Sequence, residues 1–248
     1  MMRAILSSLV MLLVVTAAVN AQEKATQPKP NARAAAVARS WQMTPDPALP
    51  NVLILGDSIS IGYGLPLRAK LQGKANVYRP MSANGQRPQN CSGTTFGVEQ
   101  IDRWLAGNEW DVIHFNWGLH DLKHVAKPGT SQNSTKATDP VQATVEQYSK
   151  NLESIVAKLE ATGAKLIFAT TTPVVADSSG PLREVDAPAR YNEAALKIMK
   201  AHEIEVNDLY AACEGKLSEL QLPKNVHFNK QGSEYLAEQV AAAIEKSL

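Results

Sequence analysis

The sequence predicts a single three-layer α/β/α domain built on a mostly parallel central sheet, and two observations carry this prediction. Short apolar runs, each of the length of a buried strand, alternate along the chain with longer segments in which apolar residues recur every three or four positions. Such alternation is typical of crossover connections that place helices on both faces of a parallel sheet. A chain of 248 residues, 44% of them hydrophobic, is long and apolar enough to form the core of such a domain.

Five short runs are the candidate strands. In chain order they cover residues 52–55, the weaker candidate 75–78, then 112–115, 165–170 and 203–206. The first run ends at Gly56, and Trp110 and Asp111 precede the third. Ligands of open parallel sheets bind in the crevice outside the carboxyl ends of the strands. We therefore expect the functional residues in the segments that directly follow these runs.

Segments of helical period separate the candidate strands. The clearest covers residues 141–159, and Gly163 follows it where a C-cap glycine is expected. Residues 187–201 and 234–248 repeat the spacing of three and four, and a further amphipathic segment ends near Trp104. These segments are the predicted crossover helices.

The first 48 residues precede the predicted domain, which spans residues 49–248. Arg3, the mostly apolar stretch after it and the small residues up to Ala21 predict a signal peptide over residues 1–21. The apolar stretch is short for a membrane span and no stop-transfer pattern follows it, although a retained N-terminal anchor is the alternative. We therefore expect a secreted or periplasmic protein with no integral membrane segment after signal removal. Residues 22–48, rich in Ala, Pro, Lys and Gln, predict a flexible linker or a loosely wrapped arm.

Charge and cysteine content exclude some classes of protein. The net charge of +1, with neutral histidines, provides no broad basic field for nucleic acid, so we expect no nucleic-acid partner. Two cysteines, Cys91 and Cys213, are too few for a disulfide framework. Export would permit a bond between them, although the sequence does not show that they meet.

The first predicted strand runs directly into Gly56-Asp57-Ser58. A serine at this place can sit on a tight turn that faces the crevice, and a helix that begins beyond it would present N–H groups able to stabilise an anion. Serine is a weak nucleophile and needs a base close by. On its own the tripeptide is also consistent with an ordinary helix cap.

Three later segments supply possible partners for this serine. They are Cys91-Ser92-Gly93-Thr94-Thr95, then Asn116-Trp117-Gly118-Leu119-His120-Asp121 after the third strand, and Asn225-Val226-His227-Phe228 before the last helix. With these segments, in this order and at strand ends, the chain from Asn51 to its C-terminus resembles the SGNH/GDSL hydrolase superfamily, whose four blocks carry Ser, Gly, Asn and His.

The resemblance implies a flavodoxin-like α/β/α domain and assigns roles to four residues. Ser58 would be the nucleophile and His227 the base, while the N–H groups of Ser58 and Gly93, together with His120, would form the oxyanion hole. The implied reaction is ester hydrolysis through an acyl-enzyme, with no cofactor and with a small-molecule or polysaccharide ester as substrate.

Two residues depart from the family pattern. His120 stands where the family has Asn; an imidazole can also donate one N–H, or the ring only packs against a loop. Lys224 stands where the family has the acid that orients the histidine, and lysine can neither fix the imidazole tautomer nor stabilise its charged form. Four groups are the alternatives for this orienting role. They are the Asn225 side chain, a main-chain carbonyl within residues 223–225, Asp121 and Asp208, and we favour a Ser–His dyad with a neutral acceptor.

We expect activity on short-chain carboxylic esters, including O-acetyl groups of carbohydrates. Lys224 favours one alternative, a catalytically weakened carbohydrate- or envelope-binding protein of the same fold. A lipase for long acyl chains is a third possibility, but no long exposed apolar stretch supports it.

Three further features are a group of histidines, the tryptophans and a long polar segment. His114, His120 and His124 lie close in sequence, but without an HExxH glutamate and with Lys123 between the last two we predict no metal site. Among the tryptophans, Trp117 is the one expected to touch substrate. The polar residues 128–139 predict a long surface loop able to act as a lid.

Overall fold

The predicted three-layer architecture is present in a computed structural model, which describes residues 32–248. Five strands, all parallel, form one sheet in the order β2-β1-β3-β4-β5, which is the flavodoxin-like order. The strands are β1 (Asn51–Leu55), β2 (Asn76–Tyr78), β3 (Val112–Phe115), β4 (Lys165–Ala169) and β5 (Glu205–Asn207). The prediction of fold class is confirmed, and the weaker candidate strand predicted at residues 75–78 is present as β2.

Eight helices accompany the sheet within the described residues. They are α1 (Ala32–Trp41), α2 (Ser58–Lys70), α3 (Thr94–Leu105), α4 (Val145–Glu160), α5 (Ala187–Ala201), α6 (Leu209–Cys213), α7 (Leu217–Leu220) and α8 (Lys230–Glu245). Capping side chains explain where two of them differ from the sequence prediction. Thr144 Oγ1 accepts a hydrogen bond from Gln147 N, so α4 begins later than residue 141, and Asn229 caps α8 through Gly232 N, so α8 begins before residue 234.

Two apolar cores lie on the two faces of the sheet. Along β1, Val52 and Ile54 point into the core formed with α2 and α8, whereas Leu53 and Leu55 point into the core formed with α3, α4 and α5. Cys213 lies in the first core and the buried Cys91 lies in the second, and both thiols are free. The disulfide that export would permit is therefore not formed, because the sheet separates the two residues.

The segment before β1 differs from the predicted linker. Residues 32–41 form α1, and Trp41 at its end is only 8% exposed. Its ring fits over Gly64 of α2, where a Cβ would lie 2.7 Å from the indole, and Arg68 Nη1 donates to the Trp41 carbonyl at 2.9 Å. Residues 32–41 therefore form an ordered helix packed on the domain, in place of a flexible linker, because alanines favour a helix and the Trp41 indole docks it.

The signal peptide predicted at residues 1–21 lies outside the described residues and stays a prediction. Within residues 32–248, no helix combines the length and the apolar character that a membrane crossing requires.

Candidate active site

Ser58 lies at the end of the central strand β1 and is the first residue of α2. Asp57 caps this helix, with its carboxylate accepting the Ile59 N–H at 2.9 Å. A Cβ on Gly56 would lie 2.9 Å from Ser60 Oγ and 3.1 Å from Ser60 Cβ, so a larger residue there would displace Ser60. The local sequence thus places a partly exposed serine hydroxyl at a helix N-terminus, where free N–H groups and the helix dipole favour negative charge.

A buried arginine braces this turn from behind. Arg79, 7% exposed, directly follows β2 and donates from Nη2 to the carbonyls of Gly56, at 3.3 Å, and Gln89, at 2.9 Å. Its Nη1 donates to Ser60 Oγ at 3.2 Å, and its guanidinium carbon lies 5.7 Å from the centre of the Trp41 ring. Sequence reasoning missed Arg79, because a single arginine after a weak strand carries no motif.

His227 lies beside Ser58, although it belongs to the C-terminal part of the chain. It lies in the loop between α7 and α8, where Leu222 N donates to the His227 carbonyl at 2.9 Å. The ring nitrogen Nε2 is 2.9 Å from Ser58 Oγ, although the two residues are 169 positions apart in sequence. The imidazole is exposed, so a substrate can reach it from solvent. The structure therefore brings the predicted nucleophile and base together.

Asn225 contacts the opposite side of the same ring. Its Oδ1 lies 2.7 Å from His227 Nδ1 and also accepts the main-chain N–H of His227 at 3.0 Å. Because a main-chain N–H can only donate, the Asn225 atom at this place must be the oxygen. Nδ1 then carries the ring hydrogen, and Nε2 is left as the acceptor for the Ser58 hydroxyl.

The other groups considered for the orienting role lie elsewhere. Lys224 has a left-handed backbone (φ 52°), and its Nζ lies 3.6 Å from an Asp177 carboxylate oxygen on the exposed surface. Asp208 caps α6 and accepts a hydrogen bond from Thr170 Oγ1 at 2.8 Å. Asp121 is fully buried and accepts its hydrogen bonds from the start of α3. None of these three hydrogen-bonds to His227.

Gly93 is held against Asp121 at the start of α3. A Cβ on Gly93 would lie 2.6 Å from Gln142 Nε2 and 3.0 Å from Asp121 Oδ1, so the close approach requires glycine. That carboxylate oxygen accepts both the N–H and the hydroxyl of Thr94, at 2.7 and 2.6 Å. Burial raises the pKa of Asp121 to about 7, although these hydrogen bonds favour its charged form. The carboxyl group thus fixes the loop that carries the Gly93 N–H.

His120 is partly buried beside this loop, with Nδ1 3.3 Å from Ser92 Oγ. Burial lowers the pKa of His120 to about 4; the Asp57 carboxylate opposes this shift, and positive charge on Lys123 adds to it. The ring is therefore neutral at neutral pH and carries one N–H. In the tautomer in which the Ser92 hydroxyl donates to Nδ1, that hydrogen is on Nε2 and is available to an anion.

A cleft of about 620 Å³ opens beside His120. Its wall includes residues 129–131 and Asn133 from the loop predicted as a lid. Main-chain hydrogen bonds hold that loop: Val125 N donates to the Pro140 carbonyl across its base, and Leu182 N donates to the Ser134 carbonyl near its middle, each at 2.8 Å. The loop therefore forms a fixed wall of the cleft in this structure.

Trp117, His114 and His124 are buried and form hydrogen bonds inside the protein. Trp117 is 1% exposed and donates from Nε1 to the Cys91 carbonyl, so the expectation that it touches substrate is wrong. His114 Nε2 pairs with Asn207 Oδ1 at 3.1 Å, and His124 Nδ1 with the Asp139 carbonyl at 2.6 Å. Within residues 32–248, no three His, Cys, Asp or Glu side chains are grouped as ligands of a metal ion.

Comparisons with known proteins agree with this fold. The model of the GDSL-like lipase/acylhydrolase family matches residues 54–235. A lipase/acylhydrolase from Enterococcus faecalis superposes with a TM-score of 0.62 at 18% identity, covering 79% of this chain and 96% of that one. An acetyl xylan esterase gives a TM-score of 0.60 at 16% identity (78% and 99% covered), and a putative arylesterase from Agrobacterium tumefaciens 0.57 at 17% (80% and 100%). No curated protein sequence matches the chain.

Proposed function

The chain belongs to the GDSL-like lipase/acylhydrolase family, and from that membership we propose that it is a serine ester hydrolase with Ser58 as nucleophile and His227 as general base. One observation carries the proposal: the His227 ring has Nε2 2.9 Å from Ser58 Oγ while Asn225 holds Nδ1 at 2.7 Å. A neutral imidazole held in this way can accept the serine proton without a change in the position of the ring.

The reaction proceeds in two steps. His227 Nε2 takes the hydroxyl proton as Ser58 Oγ bonds to the ester carbonyl carbon. The tetrahedral intermediate then collapses: the bond to the alcohol oxygen breaks, and His227 passes the proton to that oxygen. Water then loses a proton to Nε2 and attacks the acyl carbon. The intermediate releases the acid, and the proton returns to Ser58 Oγ. No cofactor takes part.

The developing oxyanion is stabilised by the Ser58 N–H at the start of α2, the Gly93 N–H and the His120 ring. The carboxyl group of Asp121 supports this arrangement through its hydrogen bonds to Thr94. Such donors cost no reorganisation during the reaction because the fold holds them beforehand.

Asn225 replaces the usual carboxylate as the group that orients the histidine. Its oxygen selects the tautomer with hydrogen on Nδ1, so the loss that follows from a wrong tautomer is avoided. It carries no charge, however, and therefore stabilises the imidazolium less than a carboxylate would. Lys224 stands at the position of the family's acid, but its ammonium group lies near the Asp177 carboxylate and makes no hydrogen bond to His227. This supports a functional active site despite the lysine.

The substrates we propose are short-chain esters, including O-acetyl groups of carbohydrates. The wide cleft beside His120 is lined mainly by polar side chains, which suits a hydroxylated alcohol, and a structural neighbour is an acetyl xylan esterase. We also propose that residues 1–21 direct export, so that the enzyme acts outside the cytoplasm on a small-molecule or polysaccharide ester.

Hydrolysis of p-nitrophenyl acetate, butyrate and octanoate by the wild-type domain and by Ser58→Ala tests the proposal. We expect turnover that falls from acetate to octanoate and disappears in the variant. Octanoate as the best substrate would favour a lipase. Failure of the wild type on these esters and on acetylated polysaccharides would favour a carbohydrate-binding protein.

A further inference from the structure

A buried lysine lies in the cleft beside His120. Lys123 is 5% exposed, lines the same cleft as His120 and follows it by three residues. Its Nζ donates to Asn133 Oδ1 at 2.8 Å and to the Ser131 carbonyl at 3.4 Å. Its main chain is fixed as well, because the Lys123 carbonyl accepts the Gln142 N–H at 2.8 Å. The ammonium group is thus held in place in the cleft.

The positive charge of Lys123 has no ion-pair partner in the part of the chain that the structure describes. Within residues 32–248, no carboxylate oxygen lies within 4.0 Å of Nζ. Two buried charged groups lie farther from Lys123 Nζ: Arg183, which donates from Nε to the Leu119 carbonyl, adds positive charge, and the Asp121 carboxyl opposes it. A buried charge is ordinarily neutralised, because removing it from water is costly. An ammonium group has three N–H donors, and two neutral acceptors leave one unused.

The rest of the cleft suits a hydroxylated ring. Phe96 offers an apolar face, and Asn90, Thr95 and Gln142 offer donors and acceptors. Gln142 Oε1 is buried without a hydrogen-bond partner within the described residues. The one carboxylate among the lining residues, Glu99, is exposed. Lys123 is therefore the one buried charged side chain among the described residues that line the cleft.

We propose that Lys123 binds an anionic group, a sugar carboxylate or a sulfate ester, on the alcohol part of the substrate. This inference rests on the proposed esterase function and narrows it to esters of acidic carbohydrates. His120 and Lys123 line one cleft, so the anion lies on the sugar that carries the scissile ester or on its neighbour. The structure thus assigns Lys123 a role in specificity, separate from the chemical step.

Three di-O-acetyl methyl galactosides that differ only at C6 test the inference. One carries a carboxylate (the galacturonoside), one a sulfate ester and one a hydroxyl group, and acetate release gives kcat/KM for each. We expect the wild type to prefer at least one anionic substrate over the neutral one by about tenfold at low salt, as a charge-assisted hydrogen bond allows. The carboxylate and sulfate arms identify which anion is bound.

Variants test whether the preference for the anionic substrate depends on Lys123. Lys123→Met should reduce the ratio of anionic to neutral kcat/KM to about one, whereas Lys123→Arg, which keeps the charge, should retain part of it. The matched control is Lys127→Met, since Lys127 is exposed in the same loop and does not line the cleft; its ratio should equal that of the wild type. If Lys123→Met does not fold, inhibition of wild-type p-nitrophenyl acetate hydrolysis by methyl galacturonoside or methyl galactoside 6-sulfate, but not by methyl galactoside, supports the same conclusion.

Equal kcat/KM for all three substrates in the wild type, or an unchanged ratio in Lys123→Met, would overturn the anion subsite. Turnover of p-nitrophenyl acetate that depends on Ser58 would then leave the proposed function intact. If the wild type turned over no ester at all, the proposed function would fail instead. Calorimetric binding of methyl galacturonoside that Lys123→Met abolishes would then still support the subsite, and no binding would overturn it.

Discussion

Asn225 Oδ1 lies 2.7 Å from His227 Nδ1 and 3.0 Å from the main-chain nitrogen of the same residue. A single amide oxygen therefore fixes both the backbone and the ring of the proposed base. The main-chain contact determines which end of the amide faces the ring, and so determines the tautomer. In the proposed mechanism, this neutral side chain two residues away takes the place of the acid in the family pattern.

Asn225→Ala should lower kcat by about a hundredfold or more, because the ring loses the partner that selects its tautomer. Asn225→Asp is the matched variant: it should keep or raise kcat and move the acid limb of the pH–rate profile upward, since a carboxylate favours the protonated imidazole and the reaction needs the neutral one. Profiles of kcat against pH for the three proteins check this. Equal kcat in Asn225→Ala and the wild type would contradict it.

Lys224→Ala should leave kcat/KM for p-nitrophenyl acetate within about twofold of the wild type, because a charge on an exposed surface is screened by solvent. The nearest carboxylate to Lys224 Nζ is that of Asp177, at 3.6 Å, and both side chains are exposed. Asp177→Asn is the matched change on the other side of the pair. A large gain in activity on removing the lysine would show that its charge acts on His227.

His120→Ala should lower kcat by about two to three orders of magnitude with little change in KM, as removal of an oxyanion donor does. His120→Asn should restore much of the loss, because the amide also donates an N–H at the family's usual position. Steady-state kinetics with p-nitrophenyl acetate separate the two parameters. A change in KM alone would indicate that His120 only lines the cleft.

The buried His114 should make the domain less stable in mild acid. Burial lowers its pKa from 6.5 to about 4, so between these pH values the unfolded chain binds a proton that the folded domain does not. The free energy of unfolding is unaffected by the titration of His114 above pH 6.5. It decreases as the pH falls from 6.5 towards 4, by about 1.4 kcal/mol per pH unit. His114→Gln, which can keep the hydrogen bond to Asn207, should reduce this slope in urea unfolding. An identical pH dependence in both proteins would contradict it.

Trp41→Ala should lower the free energy of unfolding by about 3 kcal/mol, because it leaves a cavity over Gly64 and exposes the buried Arg79. Val37→Ala on the exposed part of α1 is the control and should change stability little. Urea unfolding of the three proteins makes the comparison. An unchanged midpoint in Trp41→Ala would show that α1 is not docked in solution.

Apolar periodicity predicted the five strands and the crossover helices α3, α4, α5 and α8, because these depend on local patterns. The pairing of Ser58 with His227 was implied by the resemblance to the SGNH/GDSL superfamily. The choice of Asn225 among four candidate groups depended on a loop conformation that no local pattern encodes. Trp117 was misplaced because a residue beside a motif can point into the core as readily as into the cleft. The support from Arg79 and the docking of Trp41 are contacts between distant segments, and only the fold reveals them.

The most direct test of the Ser58–His227 pair is the rate of covalent modification by diisopropyl fluorophosphate, followed by intact mass and peptide mapping. We predict one adduct, on Ser58, that is absent in Ser58→Ala and forms at least about a hundredfold more slowly in His227→Ala. An adduct on another residue, no adduct, or an equal rate in His227→Ala would contradict the catalytic assignment.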